Sequence, residues 1–132
     1  MKRTLLWNFT GPEIAVASTK AYTAQIGVEA LVAKALGTAL NQPAAKQFDV
    51  AHQLALTADG QQALIDQKEH LHDLAKDMFA TTRNAFFIGR GTDYFVSLEA
   101  ALKLKEISYV QAEGFAAGEL KHGTIALIED NT

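Results

Sequence analysis

The sequence predicts an α/β domain that is rich in helix and short of strands. Three observations carry that expectation. Apolar residues recur at helical spacing through most of residues 18–81. The stretch Asn84-Ala-Phe-Phe-Ile88 is short, apolar and rich in strand formers, and it runs through Gly89-Arg90-Gly91 into a second helical pattern from about Asp93. Strand, glycine turn and helix form the first half of a βαβ unit. Only two or three strand candidates exist, fewer than a complete doubly wound sheet uses. Either the fold is mainly helical or the chain is part of something larger.

Taken in order, Gly11-Pro12 marks a turn and Ile14–Ala17 reads as a brief strand. Ser18 is positioned as a helix N-cap, ahead of Val28, Leu31, Val32, Ala35 and Leu36 at helical spacing to about Leu40. Pro43 ends that helix. A second helix is expected over about 44–57, with Phe48, Ala51 and Ala55 on one face. Asp59-Gly-Gln-Gln62 resembles a capping box, so a third helix is expected over about 60–81. Its apolar stripe is Leu64, Leu71, Leu74, Ala75 and Met78. The helix from Asp93 is expected to end near Val110, with a second strand between Gln111 and Ala117. Gly118–Gly123 opens a turn or short helix before Ile125–Ile128.

With 132 residues and 48% hydrophobic content, the chain can build one ordinary core. A net charge of -3 offers no basic surplus for a phosphate backbone, which argues against nucleic-acid binding. The absence of cysteine excludes disulfides, thiolate nucleophiles and cysteine zinc sites. No apolar run reaches the length of a membrane span, and the Met1–Phe9 start is too short to be a signal peptide. A soluble, intracellular chain is expected, without a metal site or cofactor.

The most informative stretch is Glu99-Ala-Ala-Leu-Lys103-Leu-Lys-Glu106-Ile-Ser-Tyr109. Residues three and four apart are neighbours on a helix, so Glu99, Lys103 and Glu106 share one side. Phe95 and Leu102 lie close to Glu106, and Val96, Ala100, Leu104 and Ile107 occupy the other side. A helix apolar nearly all round is usually buried. A carboxylate on such a helix is suited to moving a proton beside a carbonyl, with an amine at hand to bias its charge. An ordinary ion pair on a helix surface is the other reading.

Three further features admit a functional and a plain reading. Gly89-Arg90-Gly91 brings backbone N–H groups to a helix start, where an anion can bind, or simply turns the chain. Ser18-Thr19-Lys20 offers a hydroxyl to a sugar oxygen or phosphate, or only caps a helix. His122, between Gly118 and Gly123 and beside Glu119 and Lys121, is a candidate proton shuttle or a solvated loop side chain. His70 and His72, two apart, do not share a helix face as zinc ligands four apart do.

Two segments together resemble one family. They are Gly11-Pro-Glu-Ile-Ala-Val16-Ala-Ser18-Thr-Lys20, and Gly89-Arg-Gly91 followed by Leu98–Tyr109 and Gly118-Glu-Leu-Lys-His122-Gly123. They are similar to the isomerase half of the glutamine–fructose-6-phosphate aminotransferases, built from two sugar isomerase (SIS) subdomains. The resemblance implies an SIS-type (flavodoxin-like) parallel sheet flanked by helices, incomplete in this chain. It implies that residues 1–42 end the first SIS copy, 43–78 connect, and 79–132 begin the second.

The resemblance also implies the chemistry. The family makes glucosamine 6-phosphate from fructose 6-phosphate with ammonia released from glutamine. Glu106 matches the glutamate that moves the proton between two sugar carbons, and Lys103 the lysine beside it. His122 matches a histidine that assists ring opening from the neighbouring subunit of a homodimer. Val16 and Ser18 match sugar contacts, and Glu99 belongs to the same region. No cofactor is implied, and the location would be cytoplasmic. The family's Ser/Thr-rich phosphate loop, its Schiff-base lysine and its glutaminase half, with an N-terminal cysteine, have no counterpart here. Little or no synthase activity is therefore expected of this chain alone. A non-catalytic phosphosugar-binding module and a self-associating structural fragment are the rival expectations.

Overall fold

The computed structural model describes residues 9–130 and 132. They form two compact units: residues up to Ile14 with Ser18–Lys68, and Ala15–Ala17 with Glu69–Thr132.

The first unit is helical. Helix α1 spans Lys20–Ala39, α2 Pro43–Gln47 and α3 Val50–Asp66. Helix α1 closes with Asn41 at φ 55, and Gln42 N–H donates to Gly37 O at 2.8 Å. Asparagine tolerates this left-handed position better than most residues. Pro43 then opens α2, where its missing N–H costs no helix bond. Lys34 reaches from α1 to the carbonyls of Ala45 and Lys46, satisfying the end of α2.

Three expectations fail in this unit, the first being the single helix over about 44–57, which is split into α2 and α3 at the extended Phe48. The cap of α3 is Asp49, which accepts from His52 N–H at 3.1 Å. The Asp59–Gln62 stretch lies inside α3 and starts nothing. A glycine within a helix costs only about 1 kcal/mol, which the unbroken hydrogen-bond ladder on either side of Gly60 offsets. The cap of α1 is not Ser18 either. Thr19 holds the N-cap position without a side-chain bond, and the Glu13 carboxylate accepts from Ala21 N–H at 3.1 Å instead.

In the second unit, helix α4 spans Lys68–Phe79, strand β1 Asn84–Gly89, helix α5 Asp93–Ser108 and strand β2 Gln111–Ala116. The strands pair in parallel, with Asn84 opposite Gln111 and Gly89 opposite Ala116. Parallel neighbours need a long crossover, which α5 supplies. Alternation along the strands puts Ala85, Phe87, Gly89, Ala112, Gly114 and Ala116 on one face. This face, made of small residues apart from Phe87, receives α5. A Cβ on Gly89 would collide with the Asp93 carbonyl, and one on Gly114 would lie 2.8 Å from Leu98 N. On the helix side Ser97 and Ala101 are buried, and Ala112 opposite is fully enclosed. On the far face Phe86 and Phe115 meet edge-on with ring centroids 5.4 Å apart. Two short 3₁₀ turns, Leu120–His122 and Thr124–Leu127, follow β2.

Ala15–Ala17 is a bend and Ile14 is irregular, so no strand forms there. The sheet of the described residues has two strands, and neither pairs with it. The apolar stripes expected to form a core are open. Leu64, Leu71, Leu74 and Met78 are exposed, as are Phe95, Val96, Leu98, Leu102 and Ile107 on α5. The expected burial of α5 on nearly all sides is corrected to burial on the Ser97–Ala101 face. No described helix is long and apolar enough to cross a membrane.

Candidate functional site

Helix α5 begins with Asp93, whose negative charge suits the positive end of the helix. Gly91, at φ 60, turns the chain from β1 into it. The docking of Ser97 and Ala101 onto Ala112 and Gly114 then fixes which side of α5 faces outward. Glu106 lies nine residues beyond Ser97, about 180° around the helix at 100° per residue. Glu99 and Lys103 fall on that same outward side.

There the three side chains form one cluster. Lys103 Nζ is 3.0 Å from Glu106 Oε2 and 3.2 Å from Glu99 Oε1. Each side chain keeps between 20% and 26% of its surface accessible. Taken as a whole residue, Glu106 is exposed. The hydrogen bond to Glu106 holds the Lys103 ammonium above its ordinary pKa. A smaller opposing push comes from desolvation, and the Glu99 contact adds to the rise. Glu106 Oε1 has no hydrogen-bond partner among the described residues. The cluster therefore places a fixed cation between two carboxylates and leaves one oxygen of Glu106 open.

The turn beyond α5 is held tightly. Ser108 Oγ donates to Leu104 O at 2.6 Å and accepts from Val110 N–H at 3.1 Å. Between them Tyr109 is left-handed at φ 61, with its side chain 99% exposed.

The other expected site residues stand apart from the cluster in bonding. Val16 lies in the Ala15–Ala17 bend, 88% exposed, beside the buried Ala17. Ser18 belongs to the first unit, with its Oγ 3.4 Å from Glu13 Oε1. His122 closes the first 3₁₀ turn, its N–H donating to Glu119 O at 3.0 Å, and its side chain is exposed. No hydrogen bond or ion pair joins His122 to Glu106 among the described residues. A hollow of about 440 Å³ lies elsewhere, against Met78, Phe79, Thr82, Phe86, Phe87 and Asp130. No group of three or more His, Asp or Glu among the described residues is arranged to hold a metal. Sequence reasoning passed over Glu13. The available signal was an acidic residue a few positions ahead of an uncapped helix start.

The βαβ unit carrying the cluster coincides with a known family. Residues 78–132 match the SIS domain. Over 122 residues the chain is 70% identical to the glutamine–fructose-6-phosphate aminotransferase (isomerizing) of Lactiplantibacillus plantarum. It is 61% identical over 127 residues to that of Shouchella clausii. Those matches take in 92% and 96% of this chain, but 20% and 21% of the relatives. The chain thus spans about a fifth of the length of the curated relatives it matches. In three dimensions it resembles the C-terminal domain of glucosamine–fructose-6-phosphate aminotransferase from Francisella tularensis. The TM-score is 0.79 at 37% identity, over 92% of this chain and 34% of that one. The resemblance read from the two sequence segments holds, and the fold is helix-rich α/β of the SIS type.

Proposed function

We propose that this chain is a segment of the isomerase half of a glutamine–fructose-6-phosphate aminotransferase and contributes residues to its sugar site. The observation that carries the reading is the Glu99–Lys103–Glu106 cluster, held outward on α5 within the SIS-matching residues. The overall conversion takes fructose 6-phosphate and ammonia to glucosamine 6-phosphate and water. Glu106 removes a proton from one of two adjacent carbons of the opened sugar and returns it to the other. Its carboxylate is regenerated, so no net proton is consumed. Its open Oε1 suits that role, and Lys103 on Oε2 holds the group in one orientation. Glu99 fixes Lys103 from the other side.

Val16 and Ser18 contact the sugar in this reading, and His122 assists ring opening from the neighbouring subunit of a cytoplasmic homodimer. Residues 1–42 then close a first SIS copy, 43–78 connect, and 79–132 open a second. The 78–132 family match supports that last boundary. The 132 residues alone turn over little or no substrate, because Glu106 stands on an open helix face where water is not excluded.

The test uses a full-length relative carrying this segment in place of its own. It should form glucosamine 6-phosphate, and Glu106→Gln should lower its rate by roughly 10²–10⁴-fold. An unchanged rate in Glu106→Gln would refute the assignment. The isolated chain, given fructose 6-phosphate and ammonia, should stay at background.

A further inference from the structure

The sheet of the second unit has two strands among the described residues, so the outer edge of β1 is unpaired there. The hydrogen bonds at the two ends of β1 fix which groups point to that edge. The carbonyls of Arg83 and Gly89 accept from Gln111 N–H at 2.9 Å and from Ala117 N–H at 2.8 Å, so they point toward β2. Backbone groups alternate in direction along a strand. Asn84, Phe86 and Ile88 therefore turn their N–H and C=O groups outward, and no described residue bonds to them.

The hollow of about 440 Å³ runs along this edge. Ala85, Phe86 and Phe87 all line it, although successive side chains point to opposite faces of the sheet. The rest of its lining is apolar or hydroxyl-bearing, apart from Asp130. Strand β1 also lacks the devices that usually blunt an edge. It carries no charge and no proline, and Phe86, Phe87 and Ile88 are strong strand formers. A short segment of that composition pairs readily with a copy of itself. Strand β2 differs, since Glu113 and Gly114 interrupt it.

We propose that the occupant of this edge is β1 of a second copy of the chain, added antiparallel about a two-fold axis at Phe86. Residues exchange backbone bonds across such a seam where both turn outward. Asn84, Phe86 and Ile88 then face Ile88, Phe86 and Asn84 of the second copy. In that register the second copy's Arg90 lies opposite Thr82, which lines the hollow together with Asp130. Arg90 and Asp130 are exposed, and neither has an ion-pair partner among the described residues. The two-fold axis brings these opposite charges together twice, once in each direction. That complementarity selects a second copy over a strand without charge. A seam six residues long spans about 20 Å and is small beside a standard interface, so the dimer is weak and depends on concentration. None of these residues belongs to the proposed sugar site, so either reading can fail without the other.

The experiment is sedimentation velocity on the 132-residue chain between about 10 μM and about 1 mM. Ile88→Pro, Arg90→Asp, Asp130→Arg and the double variant of the last two are run beside the wild type, each checked for folding by circular dichroism. The wild type should pass from monomer to dimer across that range. Ile88→Pro removes an outward N–H and no bond to β2, so it should fold and stay monomeric. Each single charge reversal should weaken the dimer several-fold, and the double variant should recover it. A wild type that stays monomeric throughout overturns the proposal, and protected Phe86 and Ile88 amides would then show a segment of the same chain on the edge. A dimer that persists in folded Ile88→Pro overturns the edge as the interface, and its loss in Phe95→Lys would move the contact to α5. Charge reversals without effect, or a double variant without recovery, overturn the register. Should Ile88→Pro not fold, recovery in the double variant decides.

Discussion

Adding one methyl group at Gly114 tests the packing that aims the cluster outward. A Cβ there would sit 2.8 Å from both Leu98 N and Ser97 C, and 2.9 Å from Leu98 Cα. Ordinary carbon contacts begin near 3.4 Å. The obstructing atoms are helix backbone, so no side-chain rotation relieves them. Helix α5 must lift by about half an ångström, away from Ala112 and Gly114. Overpacking of this kind costs about 1–3 kcal/mol, and replacing a strand glycine returns about 0.5–1 kcal/mol. Gly114→Ala should therefore lose about 1–2 kcal/mol. In urea, followed by circular dichroism, the midpoint should fall by about 0.5–1.5 M. Gly118→Ala is the control, since nothing lies within 4 Å of its Cβ site and its φ is not positive. It should be neutral or gain about 0.4–1 kcal/mol. A Gly114→Ala midpoint at or above that of the wild type would refute the close approach of α5 to β2.

Three further outcomes follow from particular residues. Gly60 lies inside α3 with open space at its Cβ site, so Gly60→Ala should stabilise the helix by about 0.8–1 kcal/mol; an unchanged melting curve would speak for a helix break there. Tyr109 is left-handed with a fully exposed ring, so Tyr109→Gly should gain about 0.5–1 kcal/mol by removing Cβ strain; a loss would mean the ring packs on something. The Lys103 ammonium is held above its ordinary pKa, so its contribution is complete below about pH 10.4 and lost as pH rises through the higher folded value. The stability difference between wild type and Lys103→Met should narrow on that alkaline limb. A constant gap would argue against the Glu106 bond as its cause.

Much of the local structure was legible because it depends on neighbours in sequence. Pro43 keeps the chain after α1 from continuing that helix and opens α2 instead, and Gly89-Arg90-Gly91 turns a strand into a helix. Glu99, Lys103 and Glu106 meet because they are four and three residues apart on one helix. The misreadings share a cause. Asp59 resembles a cap, yet nothing nearby breaks α3, so the local signal lost to the longer ladder. Ser18 resembles a cap, but the acceptor came from Glu13, eight residues before Ala21. Ile14–Ala17 has strand composition, but among the described residues no strand pairs with it.

The sequence by itself determined the β1–α5–β2 unit, the spacing of the ionic cluster and the family it resembles, since all three are written in residue order and periodicity. Which side of α5 faces the sheet was not written there, because apolar residues surround the helix almost evenly. Tertiary packing decided it through size. Gly89, Ala112 and Gly114 admit a helix backbone only where Ser97 and Ala101 keep it slim. That docking turns Glu106 to the opposite side, where it pairs with Lys103.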